Sequence, residues 1–248
     1  MVIITAATVL LVLVAGSFAT TVLDRQQAAT EFNALQKSIL ALDDAVRDVA
    51  WKEGASRSVR FTTSRGSFQP ISTTKSIEIE FDGTLITEDP IQTSVIKYFM
   101  SDSYITLEKE QDYFLGDANS SVSSISDSLG QASFTHVSGF ASISLGYRVR
   151  VSNEGRYQFG DNSTDYVNYV NIMIIELSCA DLAGATGDFN IVARNMGVTT
   201  TPYPFSYTSA GTHEINVYVD DEPSPVSIQL DSGQIILNLV VSKVSVSL

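Results

Sequence analysis

Few side chains in this sequence have the types and spacing that support catalysis. The two histidines, His136 and His213, lie far apart in the chain, and no serine stands in a Gly-x-Ser-x-Gly turn that would expose a nucleophile. The chain has no phosphate-binding Gly-x-x-x-x-Gly-Lys loop, and its cysteine and histidines do not have the spacing of a zinc site. We therefore expect no enzymatic activity, no catalytic residue, no cofactor and no metal site.

Residues 161–165 form the stretch that comes nearest to a metal-binding loop. Its first, third and fifth residues match the first three ligand positions of an EF-hand calcium loop. However, Tyr166 stands where that loop needs a glycine, and Ile172 stands where it needs a bidentate glutamate. The sequence therefore favours a polar turn between two strands.

Two asparagines are candidate N-glycosylation sites, and one cysteine is unpaired. Asn119 and Asn162 each open an Asn-x-Ser/Thr triplet in a polar turn context. Cys179 is the sole cysteine and follows an apolar run, so no disulfide can form within the chain. We interpret it mainly as a small buried apolar residue, with pairing between molecules as the alternative.

The charge of the chain is strongly acidic and unevenly distributed. It carries 28 Asp and Glu against 15 Lys and Arg, a formal net charge of -13, and nearly all of the surplus lies after residue 53. A nucleic-acid partner is not expected, because a phosphate backbone binds to a basic surface. An acidic surface is typical of a soluble, self-repelling exterior.

The first charged side chain of the sequence is Asp24, which follows a long apolar opening. A secretory signal would need a basic segment before the apolar run, and none is present, although residues 17–19 resemble a cleavage site. A helix of this length, about 35 Å, is also long enough to cross a bilayer. The third interpretation is that the opening packs against other copies of the chain, which the small residues of the Ala15-x-x-x-Ala19 spacing would favour.

The helix is predicted to continue well past Asp24. Apolar residues recur every three or four positions from Phe32 to Val49, no proline interrupts the pattern, and Gly54 is the first good stop. One small domain cannot cover a helix of about 75 Å, so the first half needs lipid or other copies of the chain. The residues predicted to pack in the core of a filament are Val2, Ile3, Ala6, Val9, Leu10, Leu13, Ala15, Gly16, Phe18, Ala19, Phe32, Leu35, Ile39 and Leu42.

After the helix the apolar period changes from 3.6 to 2. Ile77, Ile79 and Phe81 alternate with acids before an Asp82-Gly83 turn, and several further segments alternate in the same way. We predict an α+β fold with a helical segment 1–53 and a head domain 54–248, an antiparallel, immunoglobulin-like β-sandwich. The run 166–177 is a candidate central strand, the stretch 116–139 a long exposed loop, and His213 a surface or capping residue.

Basic residues gather where the helix meets the head. We predict that this basic collar contacts an acidic neighbouring head, with an ordinary solvated surface as the alternative. Trp51 lies off the apolar stripe of the helix and is expected to pack beneath the head. The residues of the collar are Arg47, Lys52, Arg57, Arg60 and Arg65.

The order of these segments resembles that of archaeal type IV pilins and archaellins. The resemblance rests on the uncharged opening MVIITAATVLLVLVAGSFATTVL, the amphipathic continuation, and the helix-to-strand stretch AVRDVAWKEGASRSVRFTTSRG at residues 45–66. Bacterial type IV pilins carry a glutamate at the fifth mature position, where this chain has Thr5. That difference favours the archaeal branch. It also puts in doubt that these subunits are brought into register by the mechanism of bacterial pilins.

The resemblance implies a function as well as an architecture. It implies a short leader removed by a peptidase, a precursor held in the membrane, an ATP-driven assembly machine, and a homopolymeric extracellular filament. Adhesion filaments are the nearest match, and a swimming archaellum is the runner-up within the class. Two other classes stay open at this point: a single-pass membrane protein with a ligand-binding head, and a secreted module that begins after residue 19.

Overall fold

The chain begins with one long helix and continues almost entirely as strands. The computed structural model describes residues 2–68, 73–105, 107, 109–117, 120–158, 166–179, 182 and 184–248, with the backbone alone at residues 2–6 and 73. The elements are α1 (Val2–Ala50), β1 (Ser56–Thr63), β2 (Gly66–Phe68), β3 (Thr73–Phe81), β4 (Thr84–Leu85), β5 (Ile91–Ser101), β6 (Gln111–Leu115), β7 (Val122–Ser123), β8 (Gly130–Val137), β9 (Phe140–Tyr147), β10 (Val149–Gln158), β11 (Tyr166–Cys179), β12 (Gly187–Tyr207), β13 (Gly211–Val219), β14 (Glu222–Leu230) and β15 (Gly233–Ser247).

The predicted continuous helix is confirmed, including its end. Helix α1 covers 49 residues, about 75 Å, and is followed by turns in which Gly54 adopts a φ of 73°. The carbonyl of Ala50 accepts hydrogen bonds from the Asn195 amide, at 2.6 Å, and from the Ser242 hydroxyl. Both donors are buried, so the last helical turn is capped by the β domain and not by water.

Within the described residues the strands form two sheets. The first has the order β1-β12-β15-β11-β10-β7, and the second has the order β14-β13-β3-β5-β9-β8-β6, with β2 beside β5 and β4 beside β3. Most pairs are antiparallel, but β11 runs parallel to β15, and β10 runs parallel to β7. The second sheet is therefore antiparallel and the first is mixed, so the prediction of a fully antiparallel head was wrong for the first sheet. The long helix followed by these sheets gives the predicted α+β layout.

Two apolar cores hold the sheets and the helix together. The outer core lies between β3, β13 and β14 of one sheet and β10, β11 and β15 of the other. The helix core forms where residues 28–50 of α1 lie against both sheets, with Phe61, Tyr98 and Ile143 among its largest strand residues. Alternation along the strands places these residues on inner faces, as the period of 2 predicts.

The second half of α1 belongs to the head. Residues from Ala28 to Ala50 share the helix core with strands of both sheets, so the boundary at residue 53 separates secondary structures and not packing units. The stretch 116–139, predicted as a long loop, contains β7 and β8 and the buried Leu129, so that prediction was wrong. The run 166–177 does form an interior strand, β11.

Two strand edges carry pairs of prolines. Strand β14 ends the second sheet and contains Pro223 and Pro225. Strand β12 pairs with β1 only up to Arg194; its continuation pairs with β15 alone, has its other edge open among the described strands, and contains Pro202 and Pro204. Because residues two apart present their N–H groups to the same side of a strand, each pair removes two donors from an open edge.

Candidate functional site

Residues 7–23 of helix α1 form an apolar cylinder that the other described residues do not cover. Every side chain from residue 7 to residue 23 is exposed, including Leu11 at 69% and Phe18 at 71%. We call residues 7–23 the stem. By length and composition, α1 over Ala7–Ala50 qualifies as a helix able to cross a membrane. The large exposed side chains of the stem are Val9, Leu10, Leu11, Val12, Leu13, Val14, Phe18, Val22 and Leu23.

This exposure is too costly to persist in water. Burying one large aliphatic side chain is worth about 1.5–3 kcal/mol, so covering the large residues of the stem is worth on the order of 20 kcal/mol. Single exposed apolar residues are ordinary on protein surfaces, but a continuous apolar cylinder marks an interaction site. The stem therefore requires a second apolar surface, which is either lipid or protein.

Three hydroxyls of the stem form hydrogen bonds within the helix itself. The Ser17 hydroxyl donates to the Val14 carbonyl at 3.0 Å, and the Thr20 and Thr21 hydroxyls both donate to the Ser17 carbonyl at 2.9 Å. Hydroxyls that bond back to helix carbonyls cost little in surroundings without water. These three side chains do not oppose placement of the stem in a dry environment.

The residues predicted to pack between copies fall into three groups. Val2, Ile3 and Ala6 lie outside the described side chains. Exposed stem positions, available to a partner, are Val9, Leu10, Leu13, Ala15, Gly16, Phe18 and Ala19. The remaining four, Phe32, Leu35, Ile39 and Leu42, are buried in the helix core of their own chain.

The assignment of those four residues to contacts between copies is therefore corrected. A stripe with spacings of three and four produces one apolar face, and that face fits a pair of sheets as well as it fits another helix. The sequence pattern could not distinguish these two partners. Trp51 is partly buried against the helix core, as predicted.

A hydrogen-bonded latch fixes the place where the stem leaves the head. The Glu31 carboxylate accepts hydrogen bonds from the backbone N–H groups of Ser64 and Arg65, at 2.9 and 3.1 Å, and from the Tyr98 hydroxyl at 2.8 Å. Glu31 lies in α1 beyond the stem. Partial burial acts to raise the pKa of Glu31, but the hydrogen bonds from Ser64, Arg65 and Tyr98 outweigh it and lower the pKa below its usual range.

Arg65 completes the latch one to two turns closer to the stem. Its guanidinium donates to Asp24 at 2.8 Å and to Gln27 at 2.7 Å, and it lies 5.3 Å from the centre of the Tyr104 ring. The Arg65 side chain is 20% exposed and the Asp24 side chain 51%, so water screens this ion pair in part. The turn between β1 and β2 therefore holds α1 at the first charged residues after the stem.

The four arginines of the basic collar form ion pairs within the chain. The side chain of Arg57 pairs with Asp48, Arg60 pairs with Asp188 at 2.8 Å, and Arg65 pairs with Asp24 as described. Arg47 pairs with Asp43 and Asp44 along the helix, and Lys52 is exposed. The arginines of the collar therefore have acidic partners in the same molecule, and the contact of the collar with a neighbouring head stays a prediction.

His213 is not a surface residue. It is buried, and its Nδ1 lies 2.6 Å from a carboxylate oxygen of Asp82, which also accepts a hydrogen bond from the Tyr207 hydroxyl at 2.7 Å. Sequence reasoning missed this network because its members come from β12, β13 and the β3–β4 turn. Only knowledge of the strand pairing brings them together.

The remaining predicted sites are the two glycosylation candidates, the polar loop and the cysteine. Asn119, Asn162 and residues 161–165 lie outside the described residues. Cys179 is partly buried against the helix core, and its burial raises the pKa of the thiol to about 12, which keeps it in the unreactive protonated form. In the described part of the chain, no three His, Cys, Asp or Glu side chains gather at a place that could hold a metal ion.

Comparisons of the chain with models of protein families, with curated proteins and with solved structures found no match.

Proposed function

We propose that the chain is the structural subunit of a homopolymeric extracellular filament of the type IV pilus-like class, and that the filament serves surface adhesion. The observation that carries the proposal is the bare apolar stem, continuous with a helix that is built into the head. Such a subunit has a polar exterior and one long apolar surface. Stems of identical copies offer each other the cover that the stem lacks within its own chain.

The small residues of the stem support packing between copies. Ala15, Gly16 and Ala19 lie together on the helix, and a side chain added at Gly16 meets no atom of the chain within 4 Å. Small residues let helix backbones approach closely in an apolar medium. Before assembly, the same stem would lie in the membrane, with assembly machinery moving the subunit outward. Lipid is as apolar as a filament core, so this step needs external work.

A single-pass membrane protein is the second candidate, and the length of the apolar helix favours it. In that case the stem stays in lipid, and the head acts alone or binds a partner. An archaellum subunit for swimming is the alternative within the filament class. We also propose that the head is an immunoglobulin-like sandwich, which the two facing sheets of its outer core support.

The substitutions Leu11→Asp and Gly16→Leu separate these candidates. Leu11→Asp places a charge in the stem, and we expect it to abolish filaments in electron micrographs of sheared surface material. Gly16→Leu keeps the stem apolar and is free of clashes within the chain. It should leave membrane insertion intact but reduce filament number severalfold, because it separates the packed helices.

Lys37→Asp is the matched control, since Lys37 is exposed on the helix beyond the stem. It should leave filaments unchanged. Filaments formed normally by the Leu11→Asp chain would contradict the proposal. Detergent-soluble monomers from wild-type cells, with no filaments at all, would favour the membrane-anchored candidate.

A further inference from the structure

The outer face of the second sheet contains a groove that the filament proposal does not use. The groove has a volume of about 320 Å³ and crosses β5, β9, β8 and β6, with Lys75 of β3 beside it. It lies on the face opposite the helix core, because its β5 residues alternate with the buried Ile96, Tyr98 and Met100. Its position leaves it open on the surface of a folded subunit.

Two neighbouring rows of paired residues give the groove its shape. One row runs Lys97, Ser144, Ser133, Tyr113 across the four strands, and the next runs Phe99, Ser142, Thr135, Gln111. Each row has small hydroxyl residues in its centre and large residues at both ends. Since strands lie about 4.8 Å apart, the walls are separated by about 14 Å, and the floor is a band of hydroxyls.

The hydroxyls of the floor are ordered by one another. The Ser133 and Ser144 hydroxyl oxygens lie 2.9 Å apart, and the Ser142 hydroxyl donates to the Thr135 carbonyl at 3.0 Å. Ser133 and Ser142 are almost completely buried at the bottom of the groove. A hydroxyl offers both a donor and acceptor positions, so this floor suits a ligand that itself carries many hydroxyls.

Two lysines place positive charge in the groove. Lys75 and Lys97 are both half-buried, and among the described residues neither ammonium has an ion-pair partner. In a chain of net charge -13, unpaired cations in a concave surface attract a negatively charged ligand. Half-burial makes each ammonium poorer in water and more receptive to such a ligand.

Aromatic walls narrow the class of ligand further. Phe99 and Tyr113 present ring surfaces at opposite ends of the rows, and Phe140 packs edge-on against Phe99 at 6.3 Å. Ring faces bind the apolar C–H faces of other groups while neighbouring polar atoms form hydrogen bonds. The groove is a sheet face and not an open edge, so an extended peptide cannot pair with its backbone as an added strand.

We infer that this groove binds an acidic polysaccharide, with its carboxylates at Lys75 and Lys97, its hydroxyls on the serine floor, and its sugar rings against Phe99 and Tyr113. This inference rests on the proposed function in one respect: the polysaccharide is the material to which an adhesive filament would attach. A binding measurement on single subunits does not require assembly.

The test uses the full chain in detergent and immobilised polygalacturonate, with neutral dextran for comparison. The wild-type chain should bind polygalacturonate, bind it more weakly as the salt concentration rises, and show no binding to dextran. The double substitution Lys75→Gln with Lys97→Gln should weaken binding by roughly tenfold or more, the loss expected when charge-assisted hydrogen bonds disappear. Lys52→Gln with Lys243→Gln removes the same charge away from the groove and should bind like wild type.

Three results would overturn the inference. These are no binding by the wild-type chain, equal weakening in both double variants, or equally tight binding of polyglutamate through the same two lysines. The last result would identify the groove as a site for an acidic polypeptide, such as a neighbouring head. Normal filaments from a chain that fails to bind polygalacturonate would reject this inference while leaving the proposed function intact.

Discussion

Asp82 lies at the turn between β3 and β4, and its carboxylate joins that turn to two other strands. It accepts hydrogen bonds from the Tyr207 hydroxyl and from the backbone N–H of Glu214, and it contacts His213. Partial burial acts to raise the pKa of Asp82, but the hydrogen bonds from Glu214, His213 and Tyr207 outweigh it and lower the pKa. The charged form of Asp82 therefore stabilises the folded chain.

Replacement of Asp82 by asparagine isolates the effect of that charge. Asparagine accepts the left-handed backbone at this position, where φ is 45°, so the turn itself should survive. We expect a loss of about 1–2 kcal/mol in the free energy of unfolding at neutral pH, from weaker hydrogen bonds. Denaturant unfolding of the detergent-solubilised chain measures it.

The pH dependence follows from the direction of the shift. The lowered pKa means that the stabilisation by Asp82 is fully present above the ordinary value of 3.8 and is lost as the pH falls through the folded-state pKa. The difference between wild type and Asp82→Asn should therefore shrink in acid. Asp221→Asn is the control, because Asp221 also has a positive φ, 68°, but is exposed at a hairpin tip. An equal loss in both variants would show that the carboxylate network contributes nothing.

At the residue scale, the sequence predicted what is local. The Asp82-Gly83 turn was recognisable because that dipeptide favours a two-residue hairpin, and β3 and β4 do pair across it. The contacts of Asp82 with Tyr207 and His213 were not recognisable, since they join residues more than 120 positions apart. The contacts of Glu31 with Ser64, 33 positions away, and of Asn195 with the end of α1 were not recognisable either. Nothing in the chain near these residues signals their partners.

At the scale of elements, helix α1 was predicted well in length and only partly in its surroundings. The apolar composition of residues 7–23 identified a segment that the head does not cover, and these residues are exposed. The stripe from Phe32 to Val49 identified an apolar face but not what covers it, which is the head's own pair of sheets. Periodicity reports which side of a helix is buried, and the identity of the partner depends on long-range pairing.

The prolines at the sheet edges are a device against unwanted pairing. Open strand edges recruit strands from other molecules unless their donors are removed or covered. Pro223 and Pro225 remove two donors from β14, and Pro202 and Pro204 do so on β12. Heads brought close together in a filament would need this protection, because their edges would meet at high local concentration.

Replacement of Pro223 and Pro225 by threonine should reverse that protection. Threonine restores the N–H groups and favours extended backbone, so we expect β14 to pair between molecules. Analytical ultracentrifugation in detergent should show larger, concentration-dependent species than for wild type. Pro90→Thr, at an exposed position outside the strands, should behave like wild type. If the double variant sediments like that control, the prolines do not guard the edge.

At the scale of the whole molecule, the acidic exterior governs how assembled subunits meet one another. The chain has a net charge of -13 and an isoelectric point of about 4.4. Like-charged surfaces repel at distances set by the salt concentration. Filaments of this subunit, as proposed above, should therefore stay separate at neutral pH.

Acidification should bring such filaments together. As the pH approaches 4.4 the net charge falls toward zero, and we expect lateral bundling that reverses when the pH returns to neutral. Light scattering and electron microscopy across this range measure it. Added salt at neutral pH should give a weaker form of the same bundling. Filaments that remain dispersed at the isoelectric point would show that charge does not control their spacing.

The capping of α1 by buried Asn195 and Ser242, together with the latch at Glu31, has a mechanical consequence. A force applied to residues 7–23 acts along the helix axis on residues 28–50. The β domain holds this segment near both of its ends, at Glu31 and at Ala50. The stem and the embedded segment belong to one continuous helix, so no flexible backbone lies between them to absorb the strain. Tension is opposed in shear by the whole length of the embedded segment, so a subunit under load should hold its shape until the helix slides out and the domain comes apart.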